Sequence, residues 1–151
     1  MIGDGDGDGD GGGGVAVARM VHAWNPMRAP SGDEWERLRV SALIAIAASC
    51  EIPAGGATVG HEVITILGLG RGEIFSLERL GGSSDVDTQG EPYDLTVLAI
   101  LVVSECIGLL RVTATDGSPQ QWQHAVSLAR AIAPDLHVRH DFADCGVLGA
   151  H

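Results

Sequence analysis

Four groups of residues in this chain carry side chains that could do chemistry. The first is Glu105, an acid inside the apolar run Leu95–Leu110. On a helical wheel it falls near Leu98, Leu101, Leu109 and Val112. A carboxyl in such surroundings has a raised pKa and suits a general acid or base acting on a hydrophobic substrate. The second is the glycine-rich stretch Gly68, Gly70, Arg71 and Gly72, followed after nine residues by Gly82 and Ser83. Glycines let a backbone approach a phosphate and aim N–H groups at it, and Arg71 adds positive charge. The third is the turn Asp116-Gly117-Ser118-Pro119, where an acidic side chain precedes a helix N-terminus. The fourth is the C-terminal set His137, His140, Asp141, Asp144, Cys145 and His151. A helix there would put His137, His140, Asp141 and Asp144 on one face as metal ligands; a strand, the reading favoured here, disperses them, so no metal site is expected. His22, His61 and His124 read as isolated.

The elements that must position these groups follow from capping and periodicity. Ser31 and Glu34 form a capping box, and Trp35, Leu38 and Ala42 recur at helical spacing. The nearly unbroken apolar stretch Val40–Cys50 predicts burial on all sides. Val63–Leu67 is short and β-branched, a strand. Ile74–Leu80 reads as a short helix stopped by Gly81-Gly82, and 83–91 as a polar loop. Pro92 and Asp94 open a long apolar helix that Gly108 closes. Leu109–Thr115 alternates as a strand, the alternative being one helix continuing to Ala114. Ser118, Pro119 and Gln121 start the best-marked helix, with Trp122, Ala125, Val126, Ala129, Ile132 and Ala133 on one face. Leu136–His140 reads as a further strand. Strand, helix, strand in succession predicts a parallel pair. The expected fold is therefore α/β: one helix-rich domain over 15–151 with a small parallel sheet, an all-α bundle being the alternative. It lies behind a disordered acidic Gly/Asp tail at 1–14. That tail echoes a calcium loop at Asp4, Asp6, Asp8 and Gly9, but Val15 stands where the bidentate Glu belongs.

The segment Val112–Pro119, with Ala125, Leu128-Ala129 and Leu136–Val138, resembles the opening strand–helix–strand of the universal stress protein family. That family's first strand ends in a D-G-S-P-like turn. Its nucleotide-binding members also carry G-x-x-G, nine residues, then G-[ST]. Here the spacing and the Gly82-Ser83 ending match, while Leu69 replaces a glycine. The two motifs also stand in reversed order, as in a permutation. The resemblance implies an adenine nucleotide held by Gly68, Gly70, Arg71, Gly72, Gly82, Ser83, Asp116 and Ser118, and a homodimer.

Composition narrows the field. The 151 residues include 45% hydrophobic residues, which excludes a wholly disordered chain. A net charge of −11 argues against a nucleic-acid or membrane-surface partner. All nine basic residues are Arg, which excludes Schiff-base and P-loop lysine chemistry. Cys50, Cys106 and Cys145, widely spaced and odd in number, fit a reducing cytoplasm. The expected function is small-ligand binding, with adenine nucleotide the leading ligand. The alternatives are a small enzyme using Glu105 and a non-catalytic helical adaptor.

Overall fold

The computed structural model describes residues 19–49, 52, 55–68, 72–82 and 84–137. Within them the chain forms three helices and two small sheets. Strand β1 (Val21–Pro26) leads to helix α1 (Gly32–Ala48), where the Ser31–Glu34 capping box forms in full. Strands β2 (Ala57–Val59), β3 (Val63–Ile66) and β4 (Phe75–Glu78) make one antiparallel sheet in that order. Strand β5 (Asp85–Asp87) follows, then helix α2 (Asp94–Ile107), strand β6 (Leu110–Thr115) and helix α3 (Pro119–Ile132). The second sheet has the order β5-β1-β6, with β1 antiparallel to both neighbours.

The expected parallel sheet is thus corrected, and so is the all-α alternative. Strand β6 does follow a helix and precede another, but its sheet partner is β1, from the start of the chain. Every strand pair among the described residues is antiparallel. Leu136 and His137 form no strand, and 138–140 lie outside the described residues.

Local signals place the helices well. Gly108 caps α2 with a φ of 90°, a left-handed conformation that L side chains resist. Ser118 and Gln121 build a second capping box, and Trp122, Ala125, Val126, Ala129 and Ile132 are buried. Helix α2 is the centre of the core, with Val97–Ser104 continuously buried. Two expectations yield to tertiary context. Residues 74–80 are not a helix: Phe75 and Leu77 turn inward in β4, where Leu77 pairs with Ile64 of β3. The distal half of α1 is not buried all round, since Val40, Leu43 and Ile44 are exposed. Its buried side is Ser41, Ala42 and Ala45, and α1 as a whole packs on α2, α3 and β2.

Candidate functional site

Strand β1 is short, yet it reaches two quite different environments. Its start enters a buried polar knot. His22 is fully buried, its ring edge-on to Trp122 at 5.9 Å between centroids. Its Nδ1 lies 2.7 Å from Thr115 Oγ1 and its Nε2 lies 2.7 Å from Asp94 Oδ1. The Thr115 oxygen already accepts from the Gly117 N–H at 2.9 Å and from Trp122 Nε1 at 3.1 Å. Both of its lone pairs are used, so its own proton goes to His22 Nδ1. His22 Nε2–H then donates to Asp94, which also accepts from the buried Thr88 hydroxyl. Asp94 opens α2, where the helix dipole favours a carboxylate. Thr–His–Asp strings suggest nucleophilic catalysis, but a hydroxyl oxygen with all its hydrogen-bonding capacity spent is no nucleophile. His22 is not the isolated residue its sequence position suggests.

The motif residues lie around this knot. Glu73 exchanges hydrogen bonds with Asp87 of β5, through its amide at 2.8 Å and its carboxylate at 2.9 Å. Asp87 pairs with Val21 of β1. On the other side of Val21, Asp116 Oδ2 accepts the Val21 N–H at 3.0 Å and the Asp116 N–H donates to Val21 O at 2.9 Å. The end of the glycine-rich loop and Asp116 therefore share one end of the sheet. Both β5 and the start of β1 run between them, so three strand spacings, about 14 Å, separate Glu73 from Asp116. The Gly72 amide donates to Glu91 Oε2 at 3.2 Å. Ser118 exchanges its capping bonds with Gln121. Glycine at 68 and 72 has a packing cause: a Cβ at either would collide with the Tyr93 ring. Burial, with Glu91 nearby, pushes the Tyr93 hydroxyl well above its ordinary range, and it donates to Glu73 O. Gly82 leaves room for the Glu78 carboxylate. Gly70, Arg71 and Ser83 lie outside the described residues, as do His140, Asp141, Asp144, Cys145 and His151. Half-buried Glu105 accepts the Val112 N–H at 2.9 Å, bridging the end of α2 to β6.

The far end of β1 meets a cavity of about 240 Å³. Trp24 of β1, Trp35 and Leu38 of α1, Leu77 of β4, and Leu109 and Leu110 give it an apolar lining. Ser104 adds one hydroxyl, which donates to Ile100 O at 2.8 Å. The Trp35 indole N–H is taken by Gly60 O at 3.2 Å, so its ring offers the cavity mainly carbon.

Residues 26–30 and 78–81 form the mouth. Arg28 fixes the first of these segments. It holds Glu34 in a two-pronged pair, both contacts 2.7 Å, and reaches the Ile107 carbonyl at the end of α2 at 3.0 Å. That guanidinium, and next the Ser31 amide, lower the Glu34 carboxyl to about 2. Arg79 differs. It is half-buried beside the first turn of α1, and its guanidinium makes no ion pair or hydrogen bond with the described residues. The cavity lining includes none of Gly68, Gly72, Gly82, Glu105, Asp116 and Ser118. Sequence reading missed this site because its residues come from β1, α1, β4, α2 and β6 and share no motif.

Comparison with family models, curated proteins and solved structures gave no match. No helix among the described residues is long and apolar enough to cross a membrane.

Proposed function

We propose that this protein binds a small, largely apolar molecule in the cavity at the far end of β1. The observation that carries the reading is the cavity itself, about 240 Å³ with two tryptophans and five leucines in its lining. A dry apolar cavity of roughly 150 Å³ takes up benzene, and drug-sized ligands need roughly 300–1,000 Å³. The space here suits a single ring or a short alkyl chain. Burial of such a body gains roughly 25 cal/mol for each Å² of apolar surface removed from water. The converging groups form a binding site without an evident nucleophile or acid–base pair, so binding is the reading they support. Adenine nucleotide stays as the comparison ligand, because Glu73, just after the glycine-rich segment, and Asp116 lie toward one end of a sheet.

Octan-1-ol is a suitable probe, since it has an apolar body and no charge. Calorimetry is expected to show one site per chain, and saturating octan-1-ol to raise the melting temperature by mass action. Ala29→Trp, a substitution at an exposed position of the mouth, is expected to abolish binding without unfolding the protein. Stabilisation by AMP with none by octan-1-ol would move the site to the turns around the polar knot and overturn the cavity reading.

A further inference from the structure

The apolar cavity has one feature that an uncharged ligand leaves unused. Its mouth carries three charged side chains, Arg28, Glu78 and Arg79. Arg28 is neutralised by Glu34. Glu78 is exposed, lies against Gly82 and makes no ion pair with Arg79. Arg79 remains as a guanidinium with no acceptor among the described residues. Two circumstances favour an acceptor there. Arg79 is half-buried, which removes part of its hydration. One of its terminal nitrogens would stand 4.0 Å from a Cβ placed on Gly32, so the cation sits beside the positive end of the α1 dipole. The acids of that first turn do not relieve it: Glu34 belongs to Arg28, and Asp33 forms no ion pair with Arg79.

An anion at the mouth would meet both the guanidinium and the helix N-terminus, while its apolar portion entered the cavity. We propose that the ligand is a small amphipathic anion, with a carboxylate or similar monoanionic head on Arg79 and an apolar body against Trp24 and Trp35. A planar head suits the fork of the guanidinium, which donates two parallel N–H groups to a carboxylate. In a chain of net charge −11, a locally unpaired cation also marks the place where an anionic ligand meets least repulsion. This inference rests on the apolar-cavity reading and adds the head group to it.

The test compares octanoate with octan-1-ol at neutral pH by calorimetry, in the native chain and in Arg79→Gln and Arg79→Lys. The native protein is expected to bind octanoate about tenfold more tightly than octan-1-ol, as one charge-assisted contact at a half-exposed site allows. Arg79→Gln is expected to lose that preference and keep its octan-1-ol affinity, which also shows that the cavity is intact. Arg79→Lys is expected to retain part of the preference. Equal affinity of the native chain for the two probes, or a preference that survives Arg79→Gln, would overturn the anionic head while leaving the apolar cavity standing. Failure of both probes to bind would overturn the cavity reading, and this inference with it.

Discussion

The two ends of β1 differ in how completely their polar groups are satisfied. At the His22 end, the Thr115 oxygen takes two N–H donors and gives its proton to His22, which passes its own to Asp94. At the Pro26 end, the guanidinium of half-buried Arg79 stands at the rim of an apolar cavity with no described group to receive its protons. A closed network of buried hydrogen bonds fixes a fold, because each member is costly to orphan. An unmatched charge next to empty apolar space contributes little to the fold and is available to a ligand. The contrast separates a group that resembles a catalytic triad but is closed on itself by hydrogen bonds from the cavity proposed as the binding site, where satisfaction fails.

Stability measurements can break this contrast. His22→Ala removes two hydrogen bonds and leaves the Thr115 hydroxyl and Asp94 short of partners in a buried site. Urea unfolding is expected to show a loss of about 3 kcal/mol. Arg79→Gln, at the opposite end, is expected to change stability by no more than about 0.5 kcal/mol. Comparable losses from the two substitutions would mean that Arg79 is also part of the scaffold. A smaller effect sharpens the account of the mouth. Glu34 titrates at about 2 in the folded chain because Arg28, then the Ser31 amide, favour its charged form. Its folded value lies below its unfolded one, so the stabilisation is present at neutral pH. It is lost as pH falls from the ordinary glutamate range through about 2. Side-chain NMR titration of Arg28→Met is expected to move the Glu34 midpoint upward. A midpoint that stays put would show that Arg28 does not hold the 26–30 segment through this carboxylate.

The parts of this architecture that sequence discloses are those governed by neighbours along the chain. The Ser31–Glu34 and Ser118–Gln121 boxes, the Gly108 cap and the apolar face of α3 each depend on residues within a turn or two. The sheet depends on distant partners: His22 meets Thr115 across 93 positions and Asp94 across 72. A strand–helix–strand succession therefore suggests a parallel crossover, whereas β6 instead returns antiparallel beside β1. Residues 74–80 contain good helix formers in Leu77, Glu78, Arg79 and Leu80, yet Phe75 and Leu77 already alternate with Ser76 and Glu78 as a strand requires. Pairing with β3 decides between the two. The candidate site was the least legible. The glycines at 68 and 72 suggest a phosphate loop, whereas in the fold they make room for Tyr93. Arg79 gains its meaning only from a cavity that five separate elements enclose.

Tryptophan distinguishes the two ends of β1 directly. Of the three tryptophans, Trp24 and Trp35 line the cavity, whereas Trp122 packs on His22 in the knot. In an NMR titration with octanoate, the ring signals of Trp24 and Trp35 are expected to shift and to show contacts with the ligand's methylene protons, while Trp122 stays in place. Ligand contacts to Trp122, with Trp24 and Trp35 unmoved, would contradict the account and put the binding site at the His22 end.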